Sequence, residues 1–296
     1  MRMLLVCWLV LSGLVSLATA QDMPLSQVLI DGEGWQLLSE GHGFTEGPAC
    51  DKEGNVFFTD IPNSRIHKID LAGKVSVFAE NTAKTNGLMF GPDGRLYGCR
   101  NGEKKIVAYD PNGTLHTIAE EIESNDLVVG SDGKIFVTDP PNQRVWLVLL
   151  SGEKKVVASG FRPNGVILWA DEGTLVVTDS DKLHQWAFRV EKDGSLTCRD
   201  KYYHPLVLPT GGDKPGSDGM TIDKDGRLYV TTAAGLHMFD PTGRLGGVMH
   251  KPQNKWLSNV RFGGPGFAYL YVTNGDKVYR RKTKTSGVVY GVKGKS

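Results

Sequence analysis

One frame recurs six times along this chain, and that recurrence limits what it can fold into more than any other feature. Glu46-Gly-Pro-Ala-Cys-Asp-Lys-Glu-Gly-Asn-Val-Phe-Phe-Thr-Asp60 aligns with Asn86-Gly-Leu-Met-Phe-Gly-Pro-Asp-Gly-Arg-Leu-Tyr-Gly-Cys-Arg100. Further copies start at Asn125, Asn164, Asp218 and Asn259, so successive starts are 40, 39, 39, 54 and 41 residues apart. The copies read as a short apolar strand, a turn that is Asp-Gly in three of the six, and a strand of aromatic and β-branched residues that often ends in Thr-Asp. A third and a fourth strand follow, as at 105–110 and 114–120. Four-stranded meanders at this period are the blades of a propeller. The expectation is an all-β fold: a six-bladed β-propeller of four-stranded antiparallel blades. Residues 28–38 should close the ring as an outer strand on the last blade, which otherwise has only 277–282 and 288–292 to complete it.

The segment before the repeats follows a different logic. Met1-Arg2 is a short positive start, residues 4–15 are an apolar run, and Leu17-Ala-Thr-Ala20 ends in the small-x-small pattern of a cleavage site. Residues 1–20 are expected to be a signal peptide, and residues 21–296 a single propeller domain that is secreted or periplasmic. The apolar run is shorter than the ~20 residues a spanning helix needs, so no membrane association is expected after cleavage. Beyond the signal, Cys50, Cys99 and Cys198 could form one disulfide at most. With 34 Lys+Arg against 33 Asp+Glu, the chain has no basic excess to neutralise a nucleic acid backbone.

Chemistry enters at the frame starts. Glu46, Asn86, Asn125, Asn164, Asp218 and Asn259 are all acids or amides, types that strands disfavour. In a meander all six lie at the same end of the channel on the innermost strands, so their side chains can converge on the axis. An oxygen-only set without Cys or His suits a hard cation, Ca²⁺ before Zn²⁺ or Mn²⁺. The alternative is that these residues only cap strands and shape turns. Asp60, Asp139 and Asp179 end second strands and return to the same face, either to orient ligands or to form Thr-Asp turns. Asp93, Asp132 and Asp225 fall at the opposite face as hairpin turns. The excess of the 54-residue spacing falls at 205–217 and should overhang the channel mouth as a lid or substrate wall. No Gly-x-Ser-x-Gly, His-Glu-x-x-His or Cys-x-x-Cys motif occurs, and no two of the seven His stand at ligand spacing.

Thr45-Glu-Gly-Pro48, Ser124-Asn-Asp126, Pro163-Asn-Gly165 and Ser217-Asp-Gly-Met220, in this order, resemble the senescence marker protein/gluconolactonase (regucalcin-like) family of calcium-dependent six-bladed propellers. The resemblance implies metal ligation by Glu46, Asn125, Asn164 and Asp218, with Asn86, Glu123 and Asn125 on the substrate side. It implies hydrolysis of a small lactone or ester, with Asp218 as general base and Asp126 or Asp179 as its substitutes. Animal sugar-lactonase members carry arginine where this chain has Glu123. Two other classes stay open: a non-catalytic ligand- or protein-binding propeller with a structural calcium, and a carbon–carbon bond-forming relative similar to strictosidine synthases, against which the acid pair Glu46 and Asp218 argues.

Overall fold

In a computed structural model of the chain, residues 23–290 are described. The expected signal segment lies outside them. The described residues form six four-stranded antiparallel sheets. Their inner strands are Thr45–Cys50, Thr85–Phe90, Leu127–Val129, Pro163–Leu168, Met220–Ile222 and Leu257–Gly263. Strand order in the first five blades follows the sequence outward, the meander that the repeat requires.

Side chains explain the layering. Second strands such as Val56–Asp60, Leu96–Arg100 and Ile135–Asp139 are buried at every position, because both of their faces meet a neighbouring blade. Outermost strands such as Val75–Glu80 and Lys154–Ser159 have no buried residue and carry polar side chains. The Asp-Gly turns behave as hairpin chemistry demands. Asp93 accepts the Arg95 N–H at 3.1 Å and Asp132 the Lys134 N–H at 3.0 Å. Gly94 and Gly133 follow with φ of 78° and 82°, a left-handed backbone that disfavours a side chain.

The ring closes as expected in kind but over a shorter stretch. Gln36–Ser39 pairs antiparallel with Lys277–Lys282 and takes the fourth place in the last blade. Residues 28–35 contribute only one bridge, Leu29 to Thr283. With that fourth place filled, residues 288–290 form no strand, and 291–292 lie outside the described residues. Instead the tail crosses the turn face, where Lys224 N–H donates to Ser286 O at 2.9 Å and Tyr290 Oη to Leu168 O at 2.7 Å.

The 205–217 insertion is stitched between the fourth and fifth blades. Leu206 N–H bonds Leu183 O at 2.7 Å, Val207 N–H bonds His237 Nε2 at 2.9 Å, and Ala233 N–H bonds Pro215 O at 2.8 Å. Residues 210–214 stay exposed and 215–217 are buried. The three cysteines among the described residues, Cys50, Cys99 and Cys198, are free thiols, and burial pushes the Cys50 thiol up to about 12.

Candidate metal centre

An inner strand has no partner strand on its axial side, so its first residues must bond to the adjacent blades. Backbone groups meet part of this need: Gly87 N–H donates to Asn125 O and Gly219 N–H to Ser258 O, each at 2.9 Å. The rest falls to buried hydroxyls. Thr59 donates to Asn86 O at 3.1 Å, Thr178 to Asp218 O at 3.1 Å, Thr231 to Ser258 O at 2.9 Å, and Ser258 to Thr45 O at 2.8 Å. In the first and fourth blades the Thr of the repeated Thr-Asp is therefore a clamp between blades, a role that repetition alone does not disclose, whereas Thr138 bonds Asp126 O within its own blade. Glycines after the frame starts permit this approach: a Cβ on Gly165 would overlap Asp218 O, and one on Gly219 would overlap the Asn259 amide.

That packing brings three carboxylates from three blades within electrostatic reach of one another. Asn259 Nδ2 lies 3.1 Å from Glu46 Oε2 and 3.3 Å from Asp126 Oδ2, bridging them. Glu46 Oε2 also accepts the Gly47 N–H at 2.8 Å, and Asp126 Oδ1 the Leu127 N–H at 2.8 Å. Asp218 accepts the Trp256 indole N–H at 2.8 Å, and the neighbouring Asn164 amide helps to lower its proton affinity. All three are buried and none is hydrogen-bonded by a cationic side chain. Burial, then the charges of Asp218 and Asp126, holds the Glu46 carboxyl well above its usual range. Burial pushes Asp126 up to about 6. Burial and the Asp126 charge push Asp218 up to about 7 against the Trp256 bond and the Asn164 amide dipole. Asn164 Oδ1 is buried without a partner. Crowded acids plus a free amide oxygen fit a hard divalent cation, which would lower all three proton affinities at once.

The other expected site residues are distributed as follows. Asn86 and Asn125 are partly buried at their frame starts, where their carbonyls take part in the bonds between blades. Glu123 is ion-paired with Lys104 at 2.7 Å and accepts a bond from Asn142, which pull its carboxyl down. Asp179 accepts the Trp186 indole N–H at 3.2 Å, and Asp139 that of Trp146 at 3.0 Å, so these two anchor side chains of their own blades. Trp256 was not singled out by sequence; it stands 38 residues from Asp218, and no repeat position links the two. A cavity of about 730 Å³ lies on the turn face between residues such as Asp51, Asp93 and Arg261, away from these carboxylates.

Fold and site together define a six-bladed propeller with an acid-and-amide centre at one mouth of its channel. The chain belongs to the SMP-30/gluconolactonase/LRE-like family, whose model matches residues 44–276. It is similar to a gluconolactonase of Zymomonas mobilis subsp. mobilis, 27% identical over 85% of this chain and 82% of the relative. Among solved structures it resembles a gluconolactonase from Xanthomonas campestris, 26% identical with a TM-score of 0.78 over 88% of this chain and 92% of the other. A calcium-binding regucalcin from Agrobacterium tumefaciens shares the fold at 17% identity, with a TM-score of 0.73 over 88% of this chain and 98% of the other.

Proposed function

We propose that the chain is a calcium-dependent lactonase acting at this centre, outside the cytoplasm once residues 1–20 are removed. The observation that carries the proposal is the convergence of Glu46, Asp126 and Asp218, buried and hydrogen-bonded to no cationic side chain, in a family whose relatives are named for lactone hydrolysis. Glu46, Asn125, Asn164 and Asp218 would hold the ion. A bound Ca²⁺ supplies Lewis acidity toward a lactone carbonyl oxygen.

The remaining work falls to the chain. Water adds to the carbonyl carbon, the ring C–O bond breaks, and the water's proton passes through a base to the departing alkoxide, giving a hydroxy acid. The Trp256 indole N–H fixes Asp218 in a ligand's orientation. Asp126 Oδ2 carries only the shared Asn259 contact at 3.3 Å, which leaves it freer to accept a proton. The base is therefore assigned to Asp126 before Asp218, while Asp179 is engaged by Trp186. Asn86 and Asn125 offer amides to the substrate, and Trp256, partly exposed above Asp218, offers an aromatic wall.

A panel of small lactones, assayed before and after chelator treatment, tests the reading. Turnover should vanish on chelation, return with Ca²⁺, and be absent in Asp218→Asn. Retained turnover in Asp218→Asn rejects the site, and Ca²⁺ binding with no lactone hydrolysed selects a non-catalytic propeller.

A further inference from the structure

In the third and fourth blades, the residue seven places after the Thr-Asp aspartate is a tryptophan whose indole N–H bonds that aspartate: Trp146 to Asp139 and Trp186 to Asp179. In the first blade the equivalent place holds His67, and the bond is not made. His67 Nε2 is buried with no hydrogen-bond partner, in a residue only 9% exposed. Asp60 is faced instead by His42, whose Nδ1 lies 3.3 Å from Asp60 Oδ2. One ligand atom from each of His42, Asp60 and His67 lies within 4.8 Å of the other two.

We propose that His42, Asp60 and His67 form a second metal site, separate from the carboxylate centre, for a divalent cation of the zinc class. Two imidazoles and a carboxylate suit such an ion, whereas the oxygen-only centre suits a harder one. With metal–ligand bonds of about 2.0–2.1 Å, tetrahedral ligands stand roughly 3.3–3.4 Å apart, a separation that His42 and Asp60 already have. A small swing of His67 completes the set.

The surroundings orient each ligand. Asp60 Oδ1 accepts the N–H groups of Gly43 and Phe44 at 3.0 and 3.4 Å, and Oδ2 accepts the Asn63 amide at 2.8 Å. The His67 ring stacks on Phe58 at 5.0 Å and 13°. His42 Nε2 is 2.7 Å from Ser39 Oγ. With the cation on His42 Nδ1, the ring proton sits on Nε2 and is donated to Ser39 Oγ, the outer partner that metal-bound histidines require.

Position gives the site its consequence. Ser39 ends the strand that completes the last blade, His42 lies in the connection after it, and Asp60 and His67 belong to the first blade. A cation here clasps the ring where its two ends meet, and a ligand bound only by the folded state raises its stability.

The test titrates chelator-stripped full-length protein with Co²⁺, reading visible ligand-field absorption and Tm, with far-ultraviolet circular dichroism as the check of folding. Wild type and Asp218→Asn should both develop the band of imidazole-bound Co²⁺ and an increase in Tm. His67→Phe, which keeps the stacking on Phe58, and His42→Gln should lose both. Their affinity should fall by more than the roughly 10–100-fold that loss of an outer partner costs. The Asp218→Asn arm separates failure here from failure of the lactonase reading, on which this inference does not rest. If wild type gives no such band, or if folded His67→Phe or His42→Gln gives the band and the Tm increase unchanged, the site does not exist.

Discussion

At the scale of residues, the centre is held by groups of unequal legibility. Glu46, Asn164 and Asp218 could be read from sequence because each occupies the same position of a repeated frame. Asp126 sits one place later, where four of the other frames carry glycine, and it is the departure from the repeat that supplies the third carboxylate. Trp256 could not be read, because its bond to Asp218 joins two blades through loop geometry. That bond lowers the proton affinity of Asp218, so Trp256→Phe should raise it further above about 7. A hydrogen bond to a charged group is worth about 1.5–3 kcal/mol, which is roughly 1–2 pKa units. The acidic limb of the kcat/KM profile should move up by that amount, and an unmoved limb would remove Trp256 from the site.

Elements were legible wherever a strand has a period and a turn has its chemistry. Lys277–Lys282 is found where expected, and strands at Lys105–Tyr109 and Leu115–Glu120 differ from the reading by a residue. The misses are segments whose conformation is set by what remains unpaired. Gln36–Ser39 alone completes the last blade, so 288–290 has no free sheet edge to join and bonds to the last residues of other blades' inner strands, Ile222 and Leu168, instead. The insertion after the fourth blade was legible as an excess of length, while the bonds from Leu206 and Val207 that fix its course involve partners the repeat does not specify. The inter-blade hydroxyls make a prediction at this scale. Thr178→Val removes the donor to Asp218 O while keeping shape, and should destabilise by about 1–3 kcal/mol, the cost of an unpaired buried carbonyl. Thr178→Ser should lose much less. Urea unfolding of the pair measures the difference, and equal midpoints would deny the clamp.

At the scale of the whole molecule, six blades bring acids from distant stretches of chain into one buried place, and stability must respond to pH. Glu46, Asp126 and Asp218 have folded-state proton affinities above their unfolded ones, with Asp126 at about 6 and Asp218 at about 7. Between the unfolded values near ~4 and those folded values, the folded state binds more protons. The metal-free protein is therefore favoured below that window and loses stability as pH rises through it. Ca²⁺ competes with those protons, so the increase in Tm on adding Ca²⁺ should grow from about pH 5 to about pH 8. Scanning calorimetry at several pH values checks it, and a pH-independent increase would contradict it.

The central claim is that side chains from separate blades meet on one cation. Calorimetric titration of Ca²⁺ into the chelator-stripped protein near neutral pH, in buffers of different ionisation enthalpy, tests it most directly. The account predicts one tight site that releases protons on binding and is lost in both Glu46→Gln and Asp218→Asn. Absence of binding, or binding that both variants keep unchanged, would contradict it.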